Sequence, residues 1–222
     1  MLLSGGMDSA TCLAVALDGG YGVHTLSFDY GQRHRAELDA AAEVATAFGV
    51  APDRRIVVPL PGVFAASALV RGGAEVPLDR PRQAIGGDIP VTYVPARNLV
   101  FLAIATSLAE SRDAAVVFIG ANALDYSGYP DCRSEFLAAF QEAARLGTAS
   151  GISGRGVRIL APLLHMGKAE IVRRGSELGV PFERTLSCYL GARPACGRCD
   201  ACQLRRKGFK EAGLEDPLPY AI

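Results

Sequence analysis

The chain opens Met1-Leu2-Leu3-Ser4-Gly5-Gly6-Met7-Asp8-Ser9-Ala10-Thr11, and no other stretch constrains the fold as much. It reads as an apolar strand stub, a turn with two adjacent glycines, and a helix predicted from about Asp8 to Leu17. Gly5 and Gly6 can adopt positive φ and, lacking Cβ, let a ligand come close to the backbone. Ser4, Asp8 and Ser9 bring side-chain oxygens to the unpaired N–H groups of the first helical turn. Those N–H groups and the positive end of the helix dipole attract a phosphate. Asp8 suits such a site if Mg²⁺ bridges it to the phosphate; otherwise it caps the helix. Any strand–Gly–Gly–helix turn of an α/β protein shares part of this pattern. A Walker loop is excluded, because Gly167-Lys168 has Pro162 where the first glycine is needed and Ala169 after the lysine. The dinucleotide fingerprint G-x-G-x-x-G is also missing after this strand. Three residues are short for a central strand, so the natural start is expected upstream of Met1.

The 222 residues suffice for one substantial core with a small appendage. Lys plus Arg (23) equal Asp plus Glu (23), so no global field recruits nucleic acid or an anionic membrane. No apolar run approaches the roughly 18 residues of a membrane span, and the first residues lack a basic region and an apolar signal core. Six cysteines, four of them crowded between Cys188 and Cys202, do not suit a disulfide scaffold, and a reducing cytoplasm is expected.

Along the chain, helix and strand alternate. Helix one stops at Gly19-Gly20, and Val23 to Tyr30 is predicted as a strand. Arg35 to Phe48 is predicted as a helix with Leu38, Ala41, Ala42, Ala45 and Phe48 at helical spacing, and Ile56 to Val58 as a further strand. Such a compact run implies parallel pairing through right-handed crossovers. Tyr30-Gly31-Gln32-Arg33-His34 then stands at the carboxyl end of a strand, where open parallel sheets bind ligands. Residues 60–90, rich in Pro and Gly, are expected to form a lid, a flap or a disordered insertion. Leu99 to Glu110 reads as a helix apolar on most faces and therefore largely buried. Arg97, just before it, gains nothing from the dipole and is placed for an anionic ligand or an ion pair. Ala115 to Ile119 is an apolar strand of the buried parallel kind. The stretch Gly120 to Arg133, with its tyrosines, aspartates and asparagine, offers what a flat, amine-bearing heterocycle needs. A helix follows with Phe136, Phe140, Ala143 and Ala144 on one face, then a strand Ile159 to Leu163. A last helix, Ala169 to Leu178, turns Ile171, Val172 and Leu178 to the core.

Cys188-x7-Cys196-x2-Cys199-x2-Cys202 offers four thiols in two tight turns, which suits tetrahedral Zn²⁺ with all four positions filled, a structural rather than catalytic arrangement. Arg193, Arg198, Arg205, Arg206 and Lys207 are expected to offset the remaining negative charge. An iron–sulfur cluster is the rival, although the ferredoxin run places Pro after its fourth cysteine and this one does not. Cys12 reads as a small buried hydrophobe, and Cys132 as either wall or reactive group.

The hexapeptide Ser4–Ser9 resembles the S-G-G-x-D-S loop of the PP-loop ATP pyrophosphatases. Taken with Y-G-Q-R-H, P-A-R-N, D-Y-S-G-Y-P-D-C-R, S-C-Y and C-G-R-C-D-A-C, the chain from Ser4 to about Phe209 resembles the 7-cyano-7-deazaguanine synthases. The departures are the short first strand and P-A-R-N where P-G-R-N is also common. The resemblance implies an α/β fold: a Rossmann-like parallel sheet with helices on both faces (residues 1–183), and a small zinc-binding helical segment (184–222) packed on it. It implies ATP-dependent conversion of 7-carboxy-7-deazaguanine and ammonia to the nitrile precursor of queuosine, through adenylated carboxylate and amide, releasing AMP and pyrophosphate. Leu3, Ser4, Gly5, Gly6, Met7, Asp8, Ser9, Ala10 and Thr11 are expected on the nucleotide, Ser4, Gly5, Gly6, Asp8 and Ser9 among them on pyrophosphate and Mg²⁺. Asp8, Lys168 and Arg97 are the expected catalytic groups. Tyr30, Gln32, His34, Asn98, Asp125, Tyr126, Tyr129, Asp131 and Arg133 are expected on the substrate, with Arg133 near its carboxylate. Cys188, Cys196, Cys199 and Cys202 are the expected ligands of structural Zn²⁺. No glutaminase is in the chain, so ammonia is expected free or from a partner; neither membrane nor nucleic acid is expected, and a homodimer is compatible. A PP-loop tRNA-modifying ligase such as a thiolase, and a zinc-ribbon binding module on a degenerate nucleotide fold, are the competing readings.

Overall fold

The computed structural model describes residues 1–33, 35–64, 67–81, 84–85, 88–122 and 128–222. Strand β1 (Thr25–Asp29) pairs in parallel with β2 (Arg55–Pro59), and β3 (Val116–Phe118) pairs in parallel with β4 (Arg158–Leu160). The opening segment joins the two pairs. Leu3 N–H donates to Leu26 O at 2.9 Å on one side, and Leu2 N–H donates to Phe118 O at 2.9 Å on the other. The spatial order is therefore β2, β1, opening segment, β3, β4, which makes the junction of the opening segment with β3 the point where the winding reverses. Both β1 and β4 are shorter than the predicted strands Val23 to Tyr30 and Ile159 to Leu163.

Alternation along the strands divides the core. Leu2, Leu26, Phe28, Val117 and Ile119 face α3 (Arg97–Ser111) and α4 (Ser134–Gly147). Leu3 and Phe118 face α1 (Met7–Asp18), α2 (Ala36–Ala47), α6 (Lys168–Glu177) and α7 (Asp200–Ala212); a short α5 (Ala149–Ile152) follows α4. A period of two with both faces covered is the signature of a parallel sheet between helical layers.

Two expectations are corrected. Helix α3 buries only Leu102, Ala105, Thr106 and Ala109 fully, while Leu99 stays 46% exposed, because one sheet and one neighbouring helix cover a stripe and not the circumference. On α4 the inward face is Phe136, Leu137, Phe140 and Ala144, with Ala143 exposed. Leu178 packs half-buried against the core that Ile171 and Val172 enter fully, and Gly175 lacks a Cβ, which admits the Phe182 ring.

Residues 67–81 run as a strap between two anchors. At one end Gln32 bridges Val70, Arg71 N–H donates to Gly31 O at 3.1 Å, and the Arg33 guanidinium donates to Gly73 O at 2.6 Å. At the other end Leu78 bridges Cys199 and Arg80 pairs with buried Asp200 at 2.7 Å. No helix among the described residues is long and apolar enough to cross a membrane.

Candidate active site

A cavity of about 300 Å³ opens at the carboxyl ends of the strands, and the opening loop forms its floor. Gly5 alone takes positive φ (+81°); a Cβ there would lie 2.5 Å from Glu37 O and 2.6 Å from Ala41 N, so the loop can rest on α2 only as glycine. Gly6 is the residue before α1 with ordinary extended angles (φ −77°, ψ 162°), which corrects the expectation of positive φ at both glycines. The two serines brace the turn. Ser9 Oγ accepts Ser4 N–H at 3.2 Å and donates to Gly6 O at 3.0 Å, and it lies 3.1 Å from Ser4 Oγ. Gly6 has no side chain to cap α1, and Ser187 Oγ accepts Met7 N–H only at a long 3.4 Å, which leaves N–H groups of the first turn for a ligand. Ala10 and Thr11, expected on the nucleotide, are wholly buried in the core beneath the loop. The reason is helical geometry, which turns their side of α1 away from the cavity.

Asp8 does not cap the helix. Its Oδ2 receives Lys168 Nζ at 2.5 Å, while its Oδ1 is buried without a hydrogen-bond partner. Such an oxygen costs stability unless something fills it, and a divalent cation fits that need. Lys168 reaches the loop from the first turn of α6, held there because Gly208 of α7 lets the helix press against its stem. Gly120 closes the floor: a Cβ on it would lie 3.1 Å from Asp8 O.

The walls are aromatic and polar. Arg97 starts α3 after Ala96, which sits in the left-handed region at φ 53°. Its guanidinium donates to Tyr30 Oη at 3.2 Å and lies 5.8 Å from that ring. Burial opposes its charge, but Tyr30, Tyr129 and Glu37 outweigh burial and keep it protonated. Among the described residues no carboxylate ion-pairs with it. Tyr30 is buried against Phe64 and Phe101, and burial pushes its phenol up. Tyr129 Oη meets Thr92 Oγ1 at 3.0 Å and Tyr189 Oη at 3.4 Å. Gln32 lines the cavity with both ends of its amide committed to its own strand: Oε1 accepts Tyr30 N–H at 2.9 Å and Nε2 donates to Phe28 O at 3.1 Å.

Among the described residues of the loop before α4, Tyr129 and Cys132 line the cavity. Asp131 points at the start of α3, where its Oδ2 accepts Asn98 N–H at 2.8 Å, and it does not line the cavity. A helix start offers unpaired donors, and a buried carboxylate satisfies them better than open space would. Arg133 is exposed and also outside the lining. Cys132 does line it, accepting from Asn98 Nδ2 at 3.2 Å, and burial pushes its thiol up to about 12, which makes it a wall and not a nucleophile. His34, Asp125 and Tyr126 lie outside the described residues.

Beside the cavity, the sulfurs of Cys188, Cys196, Cys199 and Cys202 lie within 4.8 Å of one another. Backbone N–H groups point at them: Cys196 N–H toward Cys188 Sγ at 3.4 Å, Cys199 N–H toward Cys196 Sγ at 3.4 Å. Hydrogen bonds from Cys199 and Cys202 hold the Cys188 thiol well below its usual range. Four thiolates this close repel unless a cation sits among them, so the donor set fits a metal. The nearby cations also have partners of their own. Arg193 pairs with Glu43, Arg198 with Asp79, Arg205 with Asp216, and Arg206 stacks over Tyr220 at 5.5 Å. Arg198 also acts electrostatically on Cys196, so side-chain charge and backbone N–H groups both bear on the sulfurs.

The sequence matches the family described as "Queuosine biosynthesis protein QueC" over residues 1–213. The chain belongs to the QueC family. It is similar to the 7-cyano-7-deazaguanine synthases of Anaeromyxobacter dehalogenans (54% identical, covering 100% of this chain and 94% of that one) and Thermosynechococcus vestitus (51%, 100% and 95%). That of Stutzerimonas stutzeri is 54% identical over 99% of this chain and 96% of its own. Among solved structures it is similar to the U34-tRNA thiolase NcsA from Methanococcus maripaludis with its [4Fe-4S] cluster, at 14% identity and a TM-score of 0.46 over 96% of this chain and 66% of that one. This QueC-family chain is an enzyme of queuosine biosynthesis. Its cavity also holds residues that sequence reasoning missed, Glu37, Ser187 and Tyr189. Burial pushes the Glu37 carboxyl up to about 7, with Arg97 pulling the other way. A glutamate in the first turn of a helix that follows a strand's carboxyl end was the available signal for Glu37; for Ser187 and Tyr189 it was their place on either side of Cys188.

Proposed function

We propose that this chain converts 7-carboxy-7-deazaguanine and ammonia to 7-cyano-7-deazaguanine, cleaving two ATP to AMP and pyrophosphate. One observation carries the reading: the phosphate-type loop, the Asp8–Lys168 pair and a wall of three tyrosines open onto one cavity. A nucleotide's phosphates and a flat heterocycle can therefore meet there. A carboxylate oxygen leaves poorly, so the first ATP makes it an acyl adenylate, ammonia attacks, and AMP departs to give the amide. The second ATP activates the amide oxygen, and loss of AMP and protons gives the nitrile. Such chemistry needs positioning and charge neutralisation more than a nucleophile, which suits a cavity whose thiol is held neutral. Ser4, Gly6 and the α1 N–H groups hold pyrophosphate in this reading. Lys168 and Arg97 neutralise phosphate charge, and Tyr30, Asn98 and Tyr129 flank the base. Mg²⁺, when bound, would spread the phosphate charge, and the orphaned Asp8 Oδ1 is the oxygen suited to it. In the same reading the four cysteines carry structural Zn²⁺, residues 184–222 act as one unit with 1–183, and six unpaired thiols suit the cytoplasm.

Chromatography of nucleotides after incubation with carboxydeazaguanine, ammonium and Mg-ATP tests the reaction. AMP at two equivalents per nitrile is expected; ADP and phosphate would overturn the loop assignment, and one equivalent with the amide as end product would refute double activation. Elemental analysis of anaerobically purified protein tests the metal: one zinc per chain is expected, lost in Cys199→Ser, and iron with visible charge-transfer absorbance would replace the zinc reading.

A further inference from the structure

Resting on that ATP-pyrophosphatase reading, we propose that Ser187 is a further phosphate-contacting residue, a hydroxyl that the cysteine segment lends to the opening loop. Ser187 lines the cavity. Its Oγ lies 3.4 Å from Met7 N, the first N–H of α1 and one of those with no acceptor inside the helix. The segment is fastened to the loop one residue earlier, where Leu186 N–H donates to Gly5 O at 2.9 Å. Leu186 and Cys188 on either side are each 1% exposed, so the backbone under Ser187 cannot drift. The hydroxyl itself is half-open and, among the described residues, donates to nothing. A Cβ built on Gly6 would lie 3.7 Å from Ser187 Oγ and 3.9 Å from Leu186 O, ordinary contact distances, so the segment flanks the loop at this glycine without clashing with it.

The loop's own serines differ. Ser9 spends its hydroxyl on Gly6 O and its oxygen on Ser4 N–H, so it is occupied in holding the turn. Ser187 makes one long contact that a better acceptor would displace. A phosphate oxygen arriving at Met7 N–H takes that donor, and the Ser187 O–H turns to donate to the same phosphate, a charge-assisted bond stronger than the one given up. Since Cys188 is the next residue, the metal centre and the phosphate site are neighbours in the chain, which gives the appended segment a direct part in nucleotide binding.

Titration calorimetry of the full chain with inorganic pyrophosphate and, separately, with AMP tests this. Ser187→Ala is expected to weaken pyrophosphate by about tenfold, the loss of one hydrogen bond to a charged group, while AMP affinity and metal content per chain stay at wild-type values. Ser187→Thr, which keeps the hydroxyl, should recover most of the loss. Wild-type chain that binds pyrophosphate, with an alanine variant that binds it equally, overturns the role of Ser187 alone. Equal weakening of both ligands together with lost metal would make Ser187 a structural residue and overturn it too. Wild-type chain that binds neither ligand overturns the parent reading and this proposal with it.

Discussion

Asp8–Lys168 and Arg205–Asp216 are two carboxylate–cation pairs finished to different degrees. Arg205 and Asp216 form a closed set. Arg205 is 1% exposed, donates twice to Asp216, and also reaches Thr185 Oγ1 at 2.6 Å and Phe182 O at 2.9 Å. Asp216 further accepts Leu218 N–H at 3.0 Å and Tyr220 Oη at 2.5 Å. Asp8 and Lys168 form an open set, with one carboxylate oxygen paired and the other buried and orphaned. A complete buried network holds the fold, while an incomplete one stores a demand that a ligand can meet. The pairs also differ in span, 11 positions for Arg205–Asp216 against 160 for Asp8–Lys168, but it is the count of satisfied atoms that separates their roles.

The largest effect is expected where the network is closed. Arg205→Ala leaves Asp216 buried without its cation and should cost about 3–5 kcal/mol of stability, read as a fall in the urea midpoint at constant slope. A cost under about 1 kcal/mol would erase the distinction drawn here. Asp8→Asn inverts that pattern. It should lower turnover by about a hundredfold or more through lost cation binding and change stability by only about 1 kcal/mol, because the pair it breaks is partly solvated. Unfolding as severe as in Arg205→Ala would make Asp8 structural as well.

Glu37 sharpens the comparison as a third carboxylate, beside Arg97 but without an ion pair among the described residues. Its carboxyl rises from 4.5 to about 7, chiefly through burial. The folded chain therefore keeps a proton that the unfolded chain releases. The stabilising contribution is fully present below pH 4.5 and is lost as pH rises through about 7. Glu37→Gln, neutral throughout, should gain about 2 kcal/mol on the wild type between pH 5 and pH 8 once partial solvent screening is allowed for. Urea unfolding at the two pH values measures the gap, and parallel curves would show that Glu37 is solvated like a surface acid.

How far each feature was legible depends on how local it is. The opening loop and the cysteine spacing were readable because turn chemistry and thiol convergence act within a few residues. The division of labour inside the loop was not: Gly5 needs its conformation because α2 presses on it, whereas Gly6 has only ordinary contacts with Ser4, Leu186 and Ser187. Asp131 was assigned to the base on composition, yet it spends its carboxylate on the start of α3, a partner 33 positions away. The circumference of α3 read as buried because its residues are apolar, and only packing decided which stripe met the sheet.

By itself, the order of residues determined that this chain would wind strands and helices alternately, end its first strand in a glycine turn that opens a helix, and gather four thiols at one point. Those outcomes follow from dihedral preference, hydrophobic period and short-range spacing. Only the tertiary structure decided what else stands around that turn. Met7 and Ser187 meet across 180 positions, and Asp8 and Lys168 across 160. Such meetings depend on the order of strands in the sheet and on glycines thin enough to let helices close in. Both are properties of the packed whole, because a residue's neighbours in space are chosen by which surfaces bury one another and not by its neighbours along the chain.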